Sequence, residues 1–179
     1  MIRRTIAVAV LAVAGYGQAL SQSQVNRSSQ HDFRVVSVVD GLTNPWSIAF
    51  LPGGDMLVTE KAGRLRIVRN GRLLPTPVDG VPPVVARGQG GLLDVVPHPN
   101  FAANRLVYLS FSKPTGDSGV ATTAVVRGRF EGDRLTGLQE VFLAATKGAP
   151  GHFGSRLAFD KNGFLFITVG DRMVPSTGD

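Results

Sequence analysis

The chain has 179 residues, no cysteine, 22 glycines, 11 prolines and a formal charge of +6. That length suffices for one domain or for part of a larger one, and the lack of cysteine excludes disulfides, thiolate metal sites and cysteine nucleophiles. Short apolar runs rich in Val, Leu and Phe, punctuated by Gly and Pro, point to an all-β chain, while scattered basic residues with few aromatics between them argue against nucleic-acid binding.

Residues 1–21 read as a signal peptide. Arg3 and Arg4 form a positive start, Ile6 to Ala14 an apolar run too short to span a bilayer, and Ala19-Leu20-Ser21 a small-x-small site before Gln22. Its removal lowers the charge from +6 to +4, leaves no stable membrane insertion and implies a periplasmic or secreted protein. Residues 22–32 are polar and are expected to be a flexible lead-in, with His31 taking no part in chemistry.

A unit then repeats. Ile48-Ala49-Phe50-Leu51-Pro52-Gly53-Gly54-Asp55-Met56-Leu57-Val58-Thr59 reads as strand, tight turn, strand. Residues Leu157 to Thr168 repeat the pattern without a gap, placing Ala158 on Ala49, Phe159 on Phe50, Gly163 on Gly54 and Thr168 on Thr59. A looser copy from Leu93 to Ser110 lies between them, so the starts at Ala49, Val95 and Ala158 are 46 and 63 residues apart. Further strand signals follow the first two copies, at Arg64–Val68 and Arg72–Leu74, then at Ala121–Phe130 and Arg134–Thr136. Arg64, Arg66 and Arg69 are expected on the solvent side of a strand pair. Four strands per unit at this spacing predict an all-β propeller, with a loop insertion in the longer interval. About two and a half to three blades cannot close a ring of the usual four to eight. Residues 33–179 are therefore expected to be the N-terminal portion of a longer propeller, ending inside a loop.

Chemistry-bearing residues gather at the last repeat. His152 sits in the Gly-flanked loop Gly151-His152-Phe153-Gly154, ahead of the strand at Leu157–Phe159, and Asp171 ends the strand Phe164–Thr168. A hairpin brings its two ends together, so His152 and Asp171 are expected to be neighbours. An imidazole beside a carboxylate suits general-base chemistry near neutral pH. Gln89 lies in the Gly-rich run Gly88-Gln89-Gly90-Gly91, where an amide can both donate and accept. Asp94, among Leu92, Leu93, Val95 and Val96, must be paired or hydrogen-bonded if buried. His98, between Pro97 and Pro99, reads as structural, and Trp46 as core or channel lining. No phosphate-binding loop, no G-x-S-x-G elbow and no metal-ligand spacing among His31, His98 and His152 is present.

Three groups of residues carry a family likeness. They are Asn44-Pro45-Trp46 with Ile48 to Pro52, Thr59-Glu60 and Gly63-Arg64-Leu65; Gly88 to Asp94 with His98-Pro99-Asn100-Phe101; and His152, Gly154, Arg156 and Leu157 with Gly170-Asp171-Arg172. In this order they resemble the soluble pyrroloquinoline-quinone-dependent aldose/glucose dehydrogenases, of the glucose/sorbosone dehydrogenase type, over about Val36 to Arg172. The resemblance implies a six-bladed propeller, with quinone over the central channel and calcium beneath it. It implies oxidation of an aldose sugar at C1 to the lactone, with electrons passing from the quinone to an external acceptor. It assigns His152 as general base, Asp171 as its orienting acid and Gln89 as a contact at the mouth of the site. The family's charged quinone anchors and calcium ligands lie mainly in later blades, so no metal ligand is assigned here, and the 179-residue chain alone is expected to be inactive. Two other readings remain at this point: a calcium-dependent lactonase-like propeller hydrolase, and a non-catalytic sugar- or protein-binding propeller.

Overall fold

Residues 25–116, 119–145, 148 and 151–173 are described by a computed structural model. The expected signal peptide lies outside them. The chain divides into a segment ending at Ser37 and a unit running from Val38 onward. Within the first segment, β1 (Val25–Asn26) pairs antiparallel with β2 (Phe33–Arg34). Ser28 closes the turn: its hydroxyl donates to the His31 carbonyl at 2.6 Å and accepts the His31 amide at 3.1 Å. Both strands are exposed, so this hairpin, which begins inside the stretch expected as a lead-in, rests on local hydrogen bonds.

The second unit begins with a four-stranded antiparallel sheet in sequential order: β3 (Pro45–Phe50), β4 (Met56–Glu60), β5 (Arg64–Arg69) and β6 (Arg72–Leu73). A second sheet follows, again in sequential order: β7 (Leu92–Pro97), β8 (Leu106–Pro114), β9 (Ala121–Phe130) and β10 (Leu135–Leu143). β11 (Gly154–Phe159) and β12 (Leu165–Val169) form a third, two-stranded sheet. This is the expected partial propeller of two blades and the beginning of a third.

The gap-free likeness between the first and third copies has a backbone cause. Both turn regions place a glycine in the left-handed region, Gly54 at φ +92° and Gly163 at φ +86°, where a side chain would be strained. In the looser second copy a single turn of helix, α1 (Phe101–Asn104), replaces the tight turn, and Arg105 ends it at φ +59°. The Arg105 guanidinium then lies 4.7 Å from the Phe101 ring centre and 5.9 Å from that of Phe130.

The core sits between blades. Ala49, Leu57, Leu65 and Ile67 of the first sheet pack with Val95, Val107, Leu109, Phe111, Val126 and Phe130 of the second. On the far side of the second sheet, Tyr108 and Val125 meet Leu157, Phe159 and Ile167. With both faces covered, β8 and β9 are near-continuously buried, and apolar and small polar residues run together in place of an apolar–polar alternation. Each fully buried Val, Leu or Phe contributes roughly 1.5–3 kcal/mol. The first and third sheets have more open positions: Phe50 is 70% exposed in the first and Phe166 61% in the third.

Polar stitches fix the blades in register. Thr59 on β4 donates its hydroxyl to the Leu93 carbonyl of the next blade at 2.6 Å. One blade on, Ser110 on β8 repeats the move onto the Ser155 carbonyl at 2.6 Å. Arg66 departs from the solvent-facing expectation, with 11% of its side chain exposed, while Arg64 keeps 40% of its own in solvent. Both converge on the fully buried Glu60, Arg64 Nε at 2.5 Å and Arg66 Nη1 at 3.4 Å, and the Thr43 amide adds a bond at 2.5 Å. Burial opposes ionisation of Glu60, yet the Thr43 amide, then Arg64 and Arg66, together hold its carboxyl below the usual value of 4.5. Arg69 does face solvent, where it pairs with Asp55 at 2.7 Å.

Candidate active site

The first strands of the three sheets run side by side, β3 beside β7 and β7 beside β11. Asp94, on β7, is 1% exposed and binds all three. Its Oδ1 accepts the Ser47 hydroxyl from β3 at 2.5 Å, the Val95 amide at 3.0 Å and Arg156 Nη1 from β11 at 3.1 Å. Its Oδ2 accepts the Leu157 amide at 2.8 Å. The acid without an assigned task in the sequence is thus the pin through three blades. Arg156, held by Asp94, also lies 5.0 Å from the ring centre of Trp46 on β3, which is 37% exposed.

His152 and Asp171 meet at the two ends of the β11–β12 hairpin, with His152 Nδ1 2.6 Å from Asp171 Oδ1. Asp171 Oδ1 also accepts the Met173 amide at 2.9 Å. That backbone bond first, and the His152 contact second, hold the Asp171 carboxyl below its usual range, so it is ionised at neutral pH. An ionised carboxylate only accepts, so Nδ1 of a neutral His152 carries the proton and Nε2 presents a lone pair. Both side chains remain accessible, His152 at 49% and Asp171 at 40%.

The backbone around His152 is tightly placed. Its φ is +48°, an unusual conformation for a residue with a side chain. Gln89 Oε1 accepts the His152 amide at 2.8 Å, so a residue 63 positions upstream fixes the loop. The Gln89 loop is itself anchored, with Lys61 Nζ donating to the Gly88 carbonyl and the Gly91 amide donating to Ser112 Oγ at 2.7 Å. Gly170, just before Asp171, passes so close to the His152 carbonyl that a Cβ there would stand 2.1 Å from its oxygen. Only glycine lets the hairpin ends approach this closely.

Arg172 was not singled out by its sequence context, since a charged residue in a loop reads as surface. It is fully buried. Nε donates to the Gly151 carbonyl at 2.8 Å, Nη1 to the Ala121 carbonyl at 2.9 Å, and the guanidinium carbon lies 3.5 Å from the Phe153 ring centre. Burial lowers its pKa below the usual arginine value.

His98 is structural, as expected. Nδ1 lies 2.9 Å from both the Asn100 amide and Asn104 Nδ2, and the ring packs against Phe159 and Tyr108. Among the described residues no three His, Cys, Asp or Glu side chains converge as a metal site, and no helix there is long and apolar enough to cross a membrane. For a quinone carrying carboxylates, the site supplies an imidazole and the amide of Gln89, whose carbonyl is used on His152. The fit is to one side of such a group, since His152, Asp171 and Gln89 include no permanent cation to meet its carboxylates.

Fold and site together define a partial β-propeller with a histidine–carboxylate pair at the rim of its third blade. A family model for glucose/sorbosone dehydrogenases matches residues 42–178, and the chain belongs to that family. It is 48% identical over 136 residues to the aldose sugar dehydrogenase YliI of Escherichia coli, a match spanning 74% of this chain and 36% of that protein. The apo crystal structure of the soluble aldose sugar dehydrogenase from Escherichia coli superposes with a TM-score of 0.72 at 45% identity, over 77% of this chain and 41% of that one. The pyrroloquinoline-quinone-bound aldose sugar dehydrogenase of Streptomyces coelicolor does so with a TM-score of 0.70 at 28% identity, over 79% and 42% respectively. The chain therefore spans about two-fifths of the length of these relatives.

Proposed function

We propose that the protein carrying these blades oxidises an aldose sugar at C1 to its lactone, as an exported, pyrroloquinoline-quinone-dependent dehydrogenase. The observation that carries this reading is the 2.6 Å His152–Asp171 contact at an accessible rim, in a chain of the glucose/sorbosone dehydrogenase family. When bound, the quinone supplies a two-electron acceptor for the C1 hydride. His152 Nε2 takes the proton of the anomeric hydroxyl as that hydride departs, so C1 loses one hydride and O1 one proton, and a C=O bond forms. Asp171 holds the tautomer and stabilises the imidazolium that results. Gln89 fixes the His152 backbone and presents its amide to cofactor or sugar. Calcium and the charged quinone contacts belong to residues outside those described, and the 179-residue chain alone does not turn over. An external acceptor reoxidises the site. The Arg3/Arg4 and Ile6–Ala14 pattern supports export.

The lactonase reading loses support because Asp94, the buried acid of the inner strands, spends both oxygens on protein donors. The test is an assay of the full-length protein that carries these blades, the full chain as distinct from these 179 residues, with quinone, calcium, a dye acceptor and a panel of aldoses. Lactone formation coupled to dye reduction is expected. Tight quinone binding without oxidation of any aldose refutes the reading and favours a binding module.

A further inference from the structure

We propose that Arg172 is a positioning residue for the base, the clamp that holds His152 in its left-handed conformation with Nδ1 on Asp171. This rests on the reading of His152 as base. The guanidinium grips the loop on both sides of His152: the Gly151 carbonyl before it, at 2.8 Å, and the Phe153 ring after it, at 3.5 Å. Its second arm ties that grip to the Ala121 carbonyl, where β9 begins, at 2.9 Å. Its own amide is directed at the His152 carbonyl at 3.4 Å. Because Arg172 follows Asp171 directly in the chain, one side chain binds the residues flanking the base to the residue next to the acid. Phe153, the platform, is itself fixed in a small buried cluster with Leu93 and Ala121, and its carbonyl accepts the Thr123 hydroxyl at 2.9 Å.

The chemistry calls for arginine. Two carbonyls at different angles and an aromatic face require a planar, multi-donor cation, whereas an ammonium is a point charge that cannot stack flat or fork between acceptors. If the residue only filled space, an aliphatic side chain would avoid burying a charge. The clamp thus converts burial cost into geometry at the base, where a misplacement of about 1 Å costs on the order of 100-fold in rate.

The test uses the full chain and two variants, Arg172→Lys and Phe153→Leu, with His152→Asn as reference. In apo protein with 15N-labelled histidine, the downfield Nδ1 proton resonance that vanishes in His152→Asn reports the contact with Asp171. Arg172→Lys is expected to broaden or abolish that resonance while the remaining spectrum stays folded. In quinone-loaded enzyme it is expected to lower kcat by about 10- to 100-fold with sugar KM within about twofold. Phe153→Leu should move both readouts in the same direction by less, and decides the matter should Arg172→Lys fail to fold. An unchanged Nδ1 resonance and unchanged kcat in the folded variants overturn the clamp while leaving His152 as base. Full activity in His152→Asn would instead remove the reading beneath it.

Discussion

Replacing Asp94 by asparagine tests whether three blades are pinned at one side chain. The carboxylate accepts from four donors: Ser47 Oγ, the Val95 amide and Arg156 at Oδ1, and the Leu157 amide at Oδ2. An amide has one accepting oxygen. If that oxygen keeps the crowded Oδ1 position, the new NH2 faces the Leu157 N–H, and a buried donor of β11 is left without an acceptor. If the amide flips, the Val95 N–H and the Arg156 guanidinium meet a donor, and only the Ser47 hydroxyl can rotate to accept. Stranding one buried N–H costs about 1–3 kcal/mol. Losing the charge opposite Arg156 adds less, about 0.5 kcal/mol, because that side chain is 60% exposed and screened. Asp94→Asn is therefore expected to destabilise by about 2–3 kcal/mol, measured by urea unfolding of the full chain. In a double-mutant cycle with Ser47→Ala the two changes should be non-additive by about 0.5 kcal/mol or more. A single-variant loss below about 0.5 kcal/mol, with additivity, would refute the reasoning.

Glu60→Gln removes the charge and one of two buried acceptors, so that either the Thr43 amide, now on Oε1, or Arg64 and Arg66, now on Oε2, would face an NH2 group, and it should cost about 2–3 kcal/mol at pH 7. Because the folded pKa of Glu60 lies below its usual 4.5, its stabilisation is full above that value and fades as pH falls through the lower folded one. The gap between wild type and variant in urea should therefore close under acid; a gap that persists unchanged to pH 3 would contradict the pairing. Gln89→Leu takes the acceptor from the His152 amide at an exposed position, so unfolding should change little. The kcat of the loaded full chain should fall about tenfold, for roughly 1.4 kcal/mol of lost positioning; unchanged kinetics would separate Gln89 from the base.

What the sequence shows and what it hides follow from the range of each interaction. The Gly54 and Gly163 turns are local, so the repeat, and with it the propeller, could be read directly. The His152–Asp171 neighbourhood was also legible, because a hairpin is a short-range device whose ends must meet. Asp94 was legible only as an acid needing partners. Those partners, Ser47 and Leu157, are 47 and 63 residues away, and strand alternation reveals a buried face without naming the blade opposite it. Arg66 was misread for the same reason: alternation placed it with Arg64 on one side of β5 but did not show that Glu60, on the adjacent strand, is buried there. Arg172 was hidden more deeply, since nothing local distinguishes an arginine that covers a loop from one that enters beneath it.

The central claim is that the His152 imidazole removes the sugar proton. Single-turnover reduction of the bound quinone by an aldose, followed by absorbance in the full chain, reports that step apart from later electron transfer. His152→Asn is expected to slow it by about 10²- to 10⁴-fold with quinone still bound. Reduction within about threefold of the wild-type rate at full quinone occupancy would contradict the account.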